Sequence, residues 1–271
     1  MSRLLPGAVE MSDQDNPLRT TNHELQTNKL QASILRTAAL ARKELYSWFI
    51  SPALYGITVF FILFISIWFY YLQRFFAMDT VTLRPFFSAF PLAFILVVPV
   101  LTMKAWAEEK KLGSAEILFT LPFTDWELVC GKFLSCFMLL LGMLVLTLPV
   151  PLTLMPLGYF DPGVIFAEYL GALLLGVSAA ALGLFLSSIS KNQAAAFLGS
   201  VAVLLAVILI NNFAVNMPPF FASIINFISL SFHFESFSRG LLDSRDIAFF
   251  LLTTGFFLFL NTQVLFYKRW S

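Results

Sequence analysis

Six stretches of this 271-residue chain are long and apolar enough to cross a bilayer, and they constrain the fold more than any motif does. They run from about Pro52 to Tyr71, Phe86 to Met103, Phe133 to Leu154, Val164 to Ser187, Ala194 to Phe213 and Ile247 to Tyr267. In lipid every backbone N–H and C=O must be bonded within the protein, so each stretch is predicted to be a helix. The expected class is an all-α integral membrane protein with six transmembrane helices. Composition agrees, with 59% of residues hydrophobic and 12% charged, about half the charge of a soluble domain. Phe occurs 32 times, a usage that suits lipid contact and helix packing. The net charge of +1 suggests neither nucleic acid nor an acidic partner.

The positive charges orient the spans. With a cytoplasmic amino terminus, Arg3, Arg19, Lys29, Arg36, Arg42, Lys43, Lys104, Lys110, Lys111, Lys132, Lys191, Lys268 and Arg269 fall inside, and Arg74, Arg84, Arg239 and Arg245 outside. That is the expected bias, and an even number of spans returns the carboxyl terminus to the cytoplasm. Residues 1–29 are polar, without periodicity or the apolar core of a cleaved signal peptide. They read as a disordered cytoplasmic tail, or alternatively as a partner-binding arm.

Before the first span, Leu30, Ile34, Leu35, Ala38, Leu45 and Phe49 recur near helical spacing, with Lys29, Arg36, Lys43 and Glu44 elsewhere. This predicts an amphipathic helix in the headgroup plane, a plain anchor or one that also meets a cytoplasmic partner. Pro52 is expected to close it. Between the last two spans, residues 214–246 hold apolar pieces too short to span, read as one or two re-entrant or interfacial helices on the outer side. His233 and Glu235 there, with no third ligand, read as a hydrogen-bonding feature in preference to a metal site. Small residues (Gly171, Ala172, Gly176, Ala179, Ala180, Gly183, then Ala194, Ala195, Ala196, Gly199 and Ser200) let helices approach closely, for packing within the subunit or along a path between subunits. Pro149, Pro151 and Pro156 should kink or end the third span.

One dense polar segment interrupts the apolar chain, Lys104 to Lys132, facing the cytoplasm. Its lysines (104, 110, 111, 132) balance its acids (Glu108, Glu109, Glu116, Asp125, Glu127), so it is not a basic phosphate-binding loop. Gly113 should break the preceding helix, Ser114 cap a short one, and Pro122 end it. Thr124 or Asp125 should then cap the next, with Glu127 near its positive end. The result is a short helix between two breaks, either a lever linked to spans two and three or a solvated connection.

"EEKKLGSAEILFTLPFTDWELVCGK" resembles the cytoplasmic signature of ABC transporter permeases of the ABC-2 type, through Glu109, Gly113, Ser114, Glu116, Leu118, Leu121, Pro122, Gly131 and Lys132. Ser114 stands where threonine is commoner. "SSISKNQAAA" (187–196) and "FSRGLLDSRDIAFF" (237–250) agree with that family, and the second, with the terminal "YKRW", resembles its gliding-motility-associated branch. The resemblance implies an exporter permease over residues 30–271, paired with a second permease subunit among the lipids of an inner membrane. ATP and Mg would be bound by a separate ABC ATPase, and by this chain no cofactor. It further implies that Glu108, Glu109, Gly113, Ser114, Glu116, Phe119, Leu121 and Pro122 form the ATPase-coupling element, with Gly131 and Lys132 at the return into the membrane.

The residues themselves favour an external motor, since the sequence has no G-x-x-x-x-G-K-[ST] phosphate loop. His23 lies in the tail and His233 outside, and neither G-x-S-x-G nor H-E-x-x-H occurs, so enzyme activity and a catalytic site are not expected. Cys130 and Cys136 are six apart on one helix, about 9 Å, which disfavours a disulfide. Lys104 and Glu168 sit near span ends, so paired midplane charges of an ion-coupled carrier are lacking as well. The alternative from another class is a membrane scaffold that recruits a cytoplasmic partner without transport.

Overall fold

The computed structural model describes residues 17–73, 82–111, 113, 123–157, 160–214 and 217–270, with side chains between 29 and 268. The elements are α1 (Pro17–Ile50), α2 (Pro52–Ser66), α3 (Arg84–Phe87), α4 (Ala89–Lys111), α5 (Asp125–Val145), α6 (Pro149–Leu154), α7 (Pro162–Ile189), α8 (Gln193–Leu209), α9 (Asn211–Ala214), α10 (Pro219–Ile228), α11 (Leu230–Ser238) and α12 (Ser244–Trp270). Among the described residues there is no strand. Six segments are long and apolar enough to cross a membrane: Pro52–Leu72, Arg84–Lys111, Asp125–Leu154, Pro162–Ile189, Gln193–Phe213 and Ser244–Lys268. The protein is an all-α, multi-pass membrane protein.

Local chemistry sets the boundaries. Ser51 is extended before Pro52, so α1 stops and α2 starts at a corner, which the Tyr55 hydroxyl crosses to donate to the Phe49 carbonyl at 2.9 Å. α4 runs on beyond Met103 through Glu108 and Glu109 to Lys111, because charges in the last turns need not enter lipid. The third span breaks at Val145 and resumes as α6 at Pro149, as its prolines require. α2 ends in a wider π-helical turn, Ile67–Leu72, that no sequence signal announces.

Two expectations shift. α1 reaches back to Pro17, well before Leu30, and a proline fits a first helical turn because its missing N–H would be unpaired there anyway. Residues 1–16 of the expected tail lie outside the described residues. The face of α1 that packs on the body carries Leu40, Ala41 and Trp48, whereas Leu30, Ile34, Leu35 and Phe49 stay exposed. Most of the apolar stripe read from the sequence thus faces away from the protein, as a helix resting against lipid would place it, while Leu45 packs against the core.

α4 and α7 form the centre: 72% and 67% of their apolar windows are buried, against 22% for each of the first and fifth spans. They touch where a Cβ on Gly183 would lie 2.4 Å from Thr102 Oγ1, so only glycine permits that approach. The small residues of α7 are spent on such packing, whereas Ala194 and Ala195 at the start of α8 are exposed. At the end of the bundle away from Lys104, aromatic rings do the joining. Phe61 of α2 stacks on Phe94 of α4 at 5.9 Å, Phe90 meets Phe86 edge-on at 5.5 Å, and Phe87 meets Tyr169 of α7 edge-on at 5.0 Å. Beyond α9 the chain folds into α10 and α11, bent by 80° at Ser229, whose Oγ accepts from the Phe232 N–H and caps α11. His233 does not join Glu235: it meets Asp246 of α12 at 2.6 Å, while Glu235 pairs with Arg239.

Phe90 is fully buried among five other rings. Phe90→Ala is expected to destabilise the protein by about 3–5 kcal/mol, and Phe90→Leu by much less. Denaturant unfolding in detergent measures both, and equal effects would contradict a ring-specific role.

Candidate functional site

The polar segment between α4 and α5 is bounded on both sides by local stop and start signals. Gly113 takes φ +70 and its N–H donates to the Lys110 carbonyl at 3.3 Å, a left-handed ending to α4. Across the gap, Thr124 Oγ1 accepts from the Glu127 N–H at 3.3 Å and Glu127 Oε2 accepts from the Thr124 N–H at 2.8 Å, a reciprocal cap on α5. Of the expected coupling residues, Glu108 and Glu109 lie in the last turns of α4 and Gly113 follows them. Ser114, Glu116, Phe119, Leu121 and Pro122, with the short helix expected there, lie outside the described residues.

Just inside these ends is a buried cation. A Cβ on Gly131 of α5 would lie 2.7 Å from Leu40 Cδ2, so glycine lets α1 close onto α5 at that level. One residue later Lys132 turns into the gap between helices, its side chain 1% exposed. Its Nζ sits 2.7 Å from Glu109 Oε1 on α4 and 3.2 Å from Glu44 Oε1 on α1, and 4.8 Å from the centre of the Trp106 ring. A desolvated ammonium is costly unless paired and hydrogen-bonded, and here two carboxylates and an aromatic face supply that. Lys104 repeats the pattern on a smaller scale, over Trp48 at 5.0 Å and donating to Ser51 Oγ at 3.3 Å. Between α1, α4 and α5, Glu44, Trp48, Ser51, Lys104, Glu109 and Lys132 line a cavity of about 470 Å³.

A second set of contacts joins α4 to α7 and α12. Ser187 Oγ lies against the α4 backbone, accepting from the Trp106 and Ala107 N–H groups at 3.3 and 3.4 Å. The carbonyls that end α7 have no partner within the helix. Lys110 donates to those of Ser188 and Ser190, and Lys268 of α12 donates to Ser188 as well. Cations there also meet the negative end of the helix dipole. Asn192 restarts the chain, its Oδ1 accepting from the Ala195 N–H at 2.8 Å as cap of α8.

The structure thus brings Glu109 and Lys132 together and turns Glu109 inward. It adds Glu44, Trp106 and the Ser188 carbonyl, which the sequence did not single out. Glu44 lies 88 residues from Lys132, and only its place on the amphipathic α1 hinted at a contact with the body.

Removing the cation alone takes from Glu44 and Glu109 the buried ammonium they share, so Lys132→Met is expected to cost about 3–5 kcal/mol of stability. Replacing the set together (Glu44→Gln, Glu109→Gln, Lys132→Met) should recover part of that loss. Unfolding of the purified variants in detergent tests this, and a single Lys132→Met variant as stable as the parent would contradict it.

A family model described as ABC-2 family transporter protein matches residues 38–237, most of the chain, including Glu44, Glu109 and Lys132. No curated protein matches. Six candidate spans on an all-helical chain, together with that match, show that the protein belongs to the ABC-2 transporter family, as a membrane-spanning permease component of an ABC transporter.

Proposed function

We propose that the chain is an exporter permease whose transport is driven by ATP hydrolysed on a separate ATPase docked at residues 104–132. In this reading the end of the bundle bearing Lys104, Lys110, Lys132 and Lys268 is cytoplasmic, both termini lie inside, and the membrane is a bacterial-type inner membrane. The excess of positive charge on that end supports the orientation. Ala194 and Ala195 at the start of α8, exposed on the single chain, suit pairing with a second permease subunit, and two-fold pairing is the usual solution for such assemblies. The stretch 237–250, with the terminal "YKRW", supports a place in the gliding-motility-associated branch, and 187–196 agrees with the family as a whole. The export direction rests on the resemblance.

The observation that carries the coupling is the tie among Lys132, Glu109 and Glu44. Residues 112–122 connect in sequence the two helix ends that this tie binds to each other and to α1, while Lys110 binds the end of α4 to the carbonyls of α7, where Lys268 of α12 also converges. A push on that segment is therefore delivered to most of the bundle through stiff, short polar contacts. Glu108, Gly113, Ser114, Glu116, Phe119, Leu121 and Pro122 make up the docking element, with Glu116 supporting it and Phe119 and Phe123 giving the apolar contact.

Two experiments test this. In vesicles holding permease and ATPase, Glu116→Ala with Phe119→Ala should lower permease-dependent ATP hydrolysis about ten-fold, the loss of a small apolar and charged contact, while Glu235→Gln at the other end leaves it unchanged. Equal hydrolysis in the double variant and the parent would count against docking there. Ser114→Cys should react with a membrane-impermeant thiol reagent only from the inner face, and reaction from outside would overturn the orientation.

A further inference from the structure

Where α10 and α11 bend away from α12, the helices leave an elongated cavity of about 860 Å³. It follows α12 from Arg245 to Phe257, about 18 Å at the helical rise, which is the reach of one extended acyl chain. Its lining is sorted by chemistry. The long wall is apolar, with Phe227, Leu252 and Phe256 both lining it and exposed at its side, so it opens towards whatever surrounds the helices. At one end stand His233, Asp243, Arg245 and Asp246.

Two of those four groups are already used. His233 Nδ1 meets Asp246 Oδ1 at 2.6 Å, and its Nε2 meets the carbonyl of Phe227 at 3.2 Å. Its ring also stacks on Phe249 at 3.8 Å. These contacts fasten the end of α10 and the start of α11 to α12 and so hold the walls of the cavity in place. Asp243 and Arg245 are left facing the mouth. The Asp243 Oδ1 accepts from the Arg245 N–H at 2.9 Å, which fixes the carboxylate at the start of α12. Among the described residues no carboxylate pairs with the Arg245 guanidinium, Glu235 being paired with Arg239 and Asp246 with His233.

We propose that this cavity binds one phospholipid of the surrounding bilayer, an acyl chain lying along α12 and a zwitterionic, primary-amine head at its mouth. Arg245 takes the phosphate, a charge-assisted contact of the kind guanidinium groups favour. The fixed carboxylate of Asp243 takes the ammonium. A head with a phosphate and no cation would leave Asp243 beside a like charge, and a trimethylated head offers that carboxylate no N–H. The apolar wall, open sideways, admits the chain from the membrane without passage through water.

The test uses the full chain in bilayer nanodiscs doped with a phosphatidylethanolamine that carries a diazirine at the end of one acyl chain. After illumination, the crosslinked peptides are read by mass spectrometry. Labelling is expected at residues 248–257 of α12, above that on the exposed face of α2. Arg245→Gln should lower it about ten-fold, as loss of a hydrogen-bonded charge contact does. Ala248→Phe, at an exposed position on the cavity wall, should lower it comparably by filling the groove, and neither variant should change labelling of α2. Equal labelling of α12 and α2, labelling unchanged in both variants, or equal labelling by phosphoglycerol and phosphocholine probes would each overturn the assignment.

Discussion

The ammonium of Lys132 is the constraint around which one end of this molecule is arranged. Withdrawn from water, it requires acceptors, and the acceptors come from two other helices: Glu44 of α1 and Glu109 of α4. Meeting that requirement places three helices at once, because a carboxylate on a helix moves only with its backbone. Gly131 is the steric partner of this electrostatic need. Without a Cβ it admits Leu40, and since Glu44 is one turn beyond Leu40 on α1, the contact that brings the helices together also brings the charge to Lys132. The Gly-Lys pair that begins the third span is in this sense one device with two parts.

The two ends of the bundle are held by different physics. Lipid removes most of the hydrophobic drive for helix association, so close packing and polar contacts must supply it. Away from the lysines, rings from α2, α3, α4 and α7 interlock edge-to-face and stacked, contacts that need no solvent and resist shear. At the other end the contacts are charged, short and few, made by Lys132, Lys110 and Lys268. Dispersion among many atoms yields gradually to displacement, whereas a paired buried charge strongly penalises loss of its partner. The polar end is therefore the one at which a small movement is felt as a force on neighbouring helices.

How much of this the sequence showed depends on the range of each interaction. The six spans were legible because length and apolarity are local properties, and their ends were nearly so: Gly113 stops α4, Thr124 caps α5 with Glu127, and the prolines break the third span. What escaped was set by pairing at a distance. Lys132 looked like a residue at the membrane edge until Glu44 and Glu109 were found around it, and His233 suggested Glu235, two residues on, when its partner is Asp246. Side chains two apart on a helix point to different sides, so a partner on α12 suits it better. The stripe on α1 was read correctly as apolar, but which neighbour it faced could not be: Leu40, Ala41 and Trp48, on another side of α1, make the contact with the body. The likeness of residues 107–132 to a family signature was visible, whereas Ser114 to Pro122 rest on that likeness alone.

A chain of helices can pass on a push only if the pushed segment cannot slip relative to them. The helix ends on either side of residues 112–122 are fixed in that way. On one side, α4 carries Glu109 and Lys110 within its last turn; on the other, α5 carries Lys132 two turns after its cap. Because Glu109 and Lys132 bond each other, the two anchors cannot separate without exposing a buried charge. α1 follows through Glu44, and α7 and α12 follow through the carbonyl of Ser188, on which Lys110 and Lys268 converge. At the opposite end, packed rings join α2, α4 and α7. The ring contacts at one end and the charged contacts at the other both reach α4 and α7, the most buried helices, so the two ends are joined through the centre of the bundle.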